Sequence, residues 1–229
     1  MAELRAVTVD LDDTLFPQSS WLAGAWGAVA AVAEAFGFDR VSFRADLVSF
    51  AAEGSDKGGI IDRALLAAGV DDPAPLLPAL VSAFSGWAPS VLALYPSASE
   101  ALVRLRSAGL SLAIVTDGNP QIQRSKLTAL RLDELVDHVV ISDELGGRAS
   151  RKPSPVPFLR ALELCGTCAS DTVHVGDRPA KDVAGAAAAG MRAVRVRTGE
   201  YSETPDRTGD PAPWATAGTF AEAVDLILS

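Results

Sequence analysis

Residues 6–14 run Ala-Val-Thr-Val-Asp-Leu-Asp-Asp-Thr, an apolar segment that gives way abruptly to three carboxylates. An apolar run of this kind fits a strand buried in a parallel sheet, and its carboxyl end is the edge where doubly wound sheets bind ligands. Asp10, Asp12 and Asp13 crowded there raise one another's pKa unless they are hydrated, partly protonated or share a cation. An acidic solvated turn is the plainer alternative, and this stretch alone does not choose between the two.

Outward from it, Leu112 to Val115, Val139 to Ser142 and Thr172 to Val175 are further short runs rich in Val and Ile. Ala193 to Val196, where Arg195 and Arg197 alternate with valines, is predicted as an edge strand. Helical patterns at Pro120 to Leu130, Pro155 to Leu164 and Asp182 to Ala189 separate these strands. The order predicts an α/β fold, a doubly wound, Rossmann-like parallel sheet.

The interval between the first two strands is too long for one crossover. Apolar residues recur at helical spacing over Trp21–Phe36, Ser42–Glu53, Gly59–Ala68 and Ala74–Trp87, with turn signals between them. An inserted α-helical domain over residues 17–90 is therefore expected, with residues 1–16 and 91–229 forming the core. Ser97 and Glu100 have capping-box spacing, residues 199–213 read as a loop or mobile segment, and Phe220 to Leu228 as a closing helix.

Twenty Lys plus Arg against 29 Asp plus Glu leave a net charge of −9, which opposes extended contact with nucleic acid. The longest stretch free of charged or strongly polar residues, Trp21 to Ala33, falls short of the roughly 20 residues a bilayer crossing takes. The opening residues lack the basic start and apolar core of a secretion signal, so a cytoplasmic protein with no membrane partner is expected. Cys165 and Cys168 have C-x-x-C spacing but follow an apolar helix rather than begin one, so both read as structural. His138 and His174, inside or beside strands, read the same way.

Chemistry-bearing residues recur where other strands end. Thr116-Asp117-Gly118-Asn119 follows the second strand and offers a hydroxyl, a Gly that frees a backbone N–H, and a helix start, together a plausible oxyanion cradle. Arg151-Lys152-Pro153 places a lysine just before a helix, and Gly176-Asp177 through Asp182 follows the fourth strand. Taken singly, Thr116 reads equally as a helix cap, Lys152 as a surface charge and Asp177 as a turn residue. Together they supply cation and anion ligands in one order.

That set resembles the four motifs of the haloacid dehalogenase-like superfamily: Asp10-x-Asp12-Asp13-Thr14, Thr116, Lys152-Pro153, and Gly176-Asp177 with Asp182. The insertion after the first motif is similar to the helical cap of subclass I, which includes phosphoglycolate-phosphatase-like and nucleotidase-like members. The resemblance implies Asp10 as nucleophile, Asp12 as general acid/base, and Thr116 and Lys152 as phosphoryl ligands. It implies Mg²⁺ as cofactor, held by Asp10, the Asp12 carbonyl and Asp177, with Asp182 a water-mediated partner.

Many relatives carry Asn where this chain has Asp117. The acid repels phosphate, binds a substrate hydroxyl or amine, or turns away and leaves Asn119 to supply the amide; these alternatives stand together. Asp117 and Gly118 join Thr116 and Lys152 as expected substrate contacts. The cap loop Gly54 to Gly59 is the expected selector; its Lys57 reads as an exposed solvated lysine or as a contact to an anionic part of the substrate, with Phe16, Trp21 and Arg63 as comparable choices. The implied function is a magnesium-dependent phosphatase of a small phosphomonoester. Phosphonatase, phosphomutase, dehalogenase and a non-catalytic interaction protein are the alternatives. Asp12 argues against the dehalogenase, whose leaving halide needs no proton and whose representatives lack this second acid.

Overall fold

The computed structural model describes residues 4–54, 58–206 and 210–229. Lys57 lies outside them. Six strands, β1 (Ala6–Val9), β2 (Ser111–Thr116), β3 (His138–Ile141), β4 (Thr172–Gly176), β5 (Arg192–Val196) and β6 (Ala215–Ala217), form one sheet. All pairings are parallel and the order is β3-β2-β1-β4-β5-β6. Val7 of β1 pairs with Leu112 on one side and Val173 on the other. Every residue of β1 and β4 is buried, as strands covered on both faces must be, which accounts for their valines and for the pairing of the polar side chains Thr8 and His174 with each other. The chain winds outward from β1 to β3, then returns to β4 and winds the other way. This reversal beside β1 is the switch point at which such sheets open a crevice for ligands.

Ten α-helices accompany the strands among the described residues: α1 (Gln18–Ala35), α2 (Arg40–Ala51), α3 (Ile60–Ala67), α4 (Leu77–Ser85), α5 (Ala98–Ser107), α6 (Pro120–Ala129), α7 (Asp143–Gly146), α8 (Val156–Cys165), α9 (Ala184–Ala188) and α10 (Phe220–Leu228). The chain divides into two compact units, Met1–Gln18 with Val91–Ser229 and, separately, Ser19–Ser90. In the sheet unit, Phe158, Ala161 and Leu162 of α8 pack with Ala113, Val115 and Val140 of the strands. In the helical unit, Trp26, Val29, Ala30 and Ala33 recur every three or four residues, so α1 presents one apolar stripe to Phe43 and Leu47 of α2, Ala64 and Leu65 of α3 and Leu80 of α4. Asp39 starts α2 as its cap, accepting from the Ser42 backbone N–H at 2.8 Å. No helix among the described residues is long and apolar enough to cross a membrane.

Three local expectations are corrected. The strand containing Arg195 is not the edge: β6, only three residues long, lies outside it. Arg195 is fully buried because the segment after β5 folds over it, offering the Tyr201 carbonyl at 2.9 Å, the Thr204 carbonyl at 2.6 Å and the Asp206 carboxylate at 2.5 Å. Residues 199–206 are thus pinned rather than loose. The capping box at Ser97 does not form: Ser97 takes a left-handed φ of 62° and its side chain makes no cap hydrogen bond, while Glu100 accepts from Ser99 instead. The helix expected at Asp182 begins as a wider π turn, Pro179–Val183, before α9.

Candidate active site

Asp10 leaves the carboxyl end of β1, its backbone N–H donating to the Val175 carbonyl at 2.9 Å, so the position of this acid is fixed by the last rung of the β1–β4 ladder. Asp177 follows the end of β4 and Thr116 closes β2. The parallel register therefore delivers three chain-distant groups to one sheet edge. Asp10, Asp177 and Asp182 are buried, and one carboxylate oxygen from each lies within 4.8 Å of the others. Gly176 permits this approach, since a Cβ there would collide with the Asp182 carboxyl.

Lys152 is the counter-charge. Its ammonium donates to Asp10 Oδ1 at 2.5 Å, to Asp182 Oδ1 at 2.6 Å and to the Val115 carbonyl at 3.2 Å, so all three protons have acceptors. Burial opposes the Lys152 charge, yet Asp10 and Asp182 outweigh it and hold the ammonium well above its ordinary pKa. Burial likewise opposes the Asp182 carboxylate, and Lys152 followed by His174 outweighs it, leaving this acid below the usual range. His174 stands behind the cluster with Nε2 3.3 Å from Asp182 Oδ1 and Nδ1 2.9 Å from Thr8 Oγ1. Burial lowers its pKa, so the ring is neutral, and the carboxylate beside it calls for the proton on Nε2. The structural reading of His174 thus acquires a definite content: it supports Asp182.

Asp10 and Asp177 are left with too little positive charge. Burial pushes Asp10 up to about 7 against the pull of Lys152, and burial reinforced by Asp182, Asp10 and Asp13 pushes Asp177 up to about 9. Asp177 Oδ1 accepts from Thr14 Oγ1 at 3.4 Å, whereas its buried Oδ2 has no hydrogen-bond partner among the described residues. An orphaned carboxylate oxygen within a set of crowded acids is the donor chemistry of a hard divalent cation, and these residues fit one.

Asp12 is held from α6, on which Gln123 and Lys126 lie three residues apart on one face. Lys126 Nζ donates to Asp12 Oδ1 at 2.6 Å, and Gln123 Nε2 donates to Asp12 Oδ2 at 2.9 Å and contacts Thr116 Oγ1 at 2.5 Å. Neither residue was expected from the sequence. The available signal was a polar pair occupying core-facing positions of a helix that also buries Leu127 and Ala129. Thr116 is not a helix cap; Asn119 is, its Oδ1 accepting from Gln121 N–H at 2.9 Å.

The alternatives for Asp117 resolve toward the chain itself. Its Oδ1 accepts from Ser142 Oγ at 2.8 Å and from the Lys152 backbone N–H at 3.0 Å, and its Oδ2 lies 3.6 Å from Lys181 Nζ. Through Oδ1, Asp117 ties β2 and β3 to the lysine loop, while its buried Oδ2 has no hydrogen-bond partner among the described residues. Gly118 sits in the turn between β2 and α6. Of the helical-unit residues, Arg63 pairs with Glu53 at 2.6 Å and lies over the Phe50 ring, and Trp21 is buried against Phe84. Phe16 is fully buried, its ring 5.8 Å from Lys126 Nζ.

Asp13, the third acid of the opening stretch, points elsewhere. It adopts a left-handed φ of 59°, and its carboxylate accepts from Gln18 N–H at 2.9 Å and Glu200 N–H at 3.3 Å. Gly199 sits against it at φ +64°, where any side chain would meet the Asp13 carboxyl. Gly199→Ala is expected to lower the midpoint of thermal unfolding by several degrees, through a clash and a strained backbone together.

The family model for haloacid dehalogenase-like hydrolases matches residues 4–190. The chain is 34% identical over 230 residues to a glyceraldehyde 3-phosphate phosphatase of Methanopyrus kandleri, covering 98% of this chain and 97% of that one. It is 32% identical over 239 residues to a ribulose-1,5-bisphosphate 5-phosphatase of Halopiger xanaduensis, covering 97% and 98%. Its fold resembles that of a 2-haloacid dehalogenase from Pseudomonas syringae pv. Tomato with a TM-score of 0.67 at 26% identity over 98% of each chain. Full-length similarity and a family match that spans Asp10, Thr116, Lys152 and Asp177 agree: this chain belongs to the haloacid dehalogenase-like hydrolase family.

Proposed function

We propose that the chain is a magnesium-dependent phosphatase that hydrolyses a small phosphomonoester, of the size of a short-chain sugar phosphate, through a phosphoaspartate at Asp10. The observation that carries this reading is the joint placement of a buried Asp10, a second acid at Asp12 and an ammonium at Lys152 on one sheet edge. The full-length similarity to two enzymes named as phosphatases of small sugar phosphates supports the substrate class. Free Cys165 and Cys168 suit a reducing compartment, and we place the enzyme in the cytoplasm.

Asp10, the Asp12 carbonyl and Asp177 would hold Mg²⁺. When bound, the ion screens the repulsion between the attacking carboxylate and the phosphoryl dianion. Lys152 supplies positive charge at the same place, and Thr116 offers its hydroxyl to a phosphoryl oxygen. An Asp10 oxygen forms a bond to phosphorus while the ester P–O bond breaks, and Asp12 gives its proton to the departing oxygen. Water then attacks phosphorus, Asp12 takes its proton, the Asp10–phosphorus bond breaks and inorganic phosphate leaves. We assign selection of the leaving group to the helical insertion, residues 17–90. The likeness to a dehalogenase does not displace this reading, because dehalogenation has no leaving oxygen to protonate and no use for Asp12 held by Lys126 and Gln123.

A phosphate-release screen over sugar phosphates, nucleotides and small acid phosphates, with Mg²⁺ and then with chelator, tests the reading; full activity in excess chelator contradicts it. Asp177→Asn is expected to cost at least about a hundredfold in Mg²⁺-dependent activity by removing one anionic ligand.

The acid cluster also has a pH signature. Asp10 at about 7 and Asp177 at about 9 lie above the ordinary 3.8, so the folded metal-free chain binds protons that the unfolded chain releases. On their account stability is present at low pH and is lost as pH rises from about 4 to about 9. Asp182, shifted the other way, has its contribution complete above the ordinary carboxyl range, and His174, lowered from 6.5 by burial, adds stability as pH rises toward 6.5, one group set against the two acids. In chelator the unfolding temperature is expected to fall between pH 5 and pH 8, and Mg²⁺ to raise it more at pH 8 than at pH 5. A chelated protein that gains stability over that interval would contradict the assignment.

A further inference from the structure

We propose that Lys126 and Gln123 are positioning residues for Asp12, and that the face of α6 they share registers the acid/base group against the phosphoryl ligand Thr116. The proposal rests on the phosphatase reading. The geometry is a closed set of contacts: Lys126 Nζ to Asp12 Oδ1 at 2.6 Å, Gln123 Nε2 to Asp12 Oδ2 at 2.9 Å, and the same Gln123 nitrogen to Thr116 Oγ1 at 2.5 Å.

Burial shows that this is a built arrangement. The Lys126 side chain is only 3% exposed while that of Asp12 retains 19%. An ammonium withdrawn from water to that extent is destabilising unless an acid faces it, and the acid that faces it is the one beside the proposed nucleophile. Gln123 is 1% exposed. A helix position that needs only to fill the core would be occupied more favourably by an apolar residue, as Leu127 is on the same helix.

The need for such a grip follows from the turn on which Asp12 sits. Proton transfer requires the carboxyl oxygen within roughly 2.6–3.2 Å of the ester oxygen and later of the water. Asp12 lies past the end of β1, beyond the ladder that fixes Asp10, and among the described residues its only strand-like pairing is an isolated bridge to Phe16. One contact to each carboxyl oxygen fixes the plane of the group, and the shared Gln123 amide links that plane to Thr116. Either oxygen retains a second lone pair for substrate or water, so the grip is compatible with giving and taking a proton. The grip works through Asp12, and neither Lys126 nor Gln123 touches the reacting phosphorus in this scheme.

The test is a leaving-group comparison on the full chain with Mg²⁺, using an aryl phosphate and an alkyl phosphate. Lys126→Met is expected to lower kcat for the alkyl ester by about 10- to 100-fold and for the aryl ester by less than about threefold, with KM unchanged, since only the poor leaving group depends on a well-placed acid. Lys126→Arg, which keeps the charge, should recover most of the alkyl rate. In an Asp12→Asn background, Lys126→Met should add no further loss. An equal loss on both esters, or a full additional loss on top of Asp12→Asn, overturns the proposal. If Lys126→Met does not fold by circular dichroism, Gln123→Met carries the test, with the same ester selectivity at a smaller factor expected and an equal loss overturning. A wild-type chain inert to both esters is a different result: it refutes the phosphatase reading itself, and the proposal with it.

Discussion

Asp10→Asn is expected to abolish turnover, by at least on the order of 10⁴, while leaving the fold intact. The amide oxygen can still accept from Lys152, whose ammonium lies 2.5 Å from Asp10 Oδ1, so the buried contact survives. One negative charge also leaves the cluster, so the metal-free variant should be no less stable than the wild type at neutral pH. A neutral amide cannot form the phosphoaspartate. Acid-quenching the enzyme during turnover of labelled substrate should therefore trap protein-bound phosphate in the wild type and none in the variant. A variant that still acquires the label at the normal level would move the nucleophile elsewhere.

Lys152→Ala is expected to damage stability and catalysis together. The lysine is buried and its three donors go to Asp10, Asp182 and the Val115 carbonyl. Removing one partner of such a set leaves uncompensated buried acids and typically costs about 3–5 kcal/mol. The cost has a pH dependence of known sign. Without the ammonium, the strongest influence lowering both Asp10 and Asp182 is gone, so their folded pKa values rise and the deficit grows as pH climbs above the ordinary carboxyl range. Denaturant titrations should place the variant nearer the wild type at pH 5 than at pH 8. Its catalytic loss should also exceed that of Lys57→Ala, because Lys152 meets the reacting charge while a cap lysine at most binds the remote end of the substrate. The reverse ranking would point to phosphonate chemistry carried by the cap.

The parts of this molecule that were legible in the sequence are those where one residue type has one use. A run such as Val7 to Val9 has no alternative to burial, and acids, a threonine and a lysine at successive strand ends are hard to place in a purely structural scheme. Arg195 shows the limit: alternation with valines looks like solvent exposure, and only a later segment closing over the strand makes an arginine a core residue. β6 escaped notice because Ala215-Thr216-Ala217 is too short and too weakly apolar to carry a period. Lys126 escaped for a related reason. A lysine on a helix is ordinarily a solvated charge, and the acid that draws it inward stands 114 residues earlier. Asp117 needed the structure as well, since its partners Ser142, Lys152 and Lys181 come from three later segments.

The position of β1 in the sheet also sets a timetable for the growing chain on the ribosome. The first strand made has its two neighbours at residues 111–116 and 172–176, the latter separated from it by 166 residues. Synthesis proceeds at roughly 5–20 residues per second, so this apolar strand waits about ten seconds or more for the second of them. The helical unit, contiguous from residue 19 to residue 90, emerges whole during that interval with its own core. It can be folded before the sheet that holds the acids has been completed, so the nascent chain is most exposed to misassociation between the release of residue 90 and that of β4.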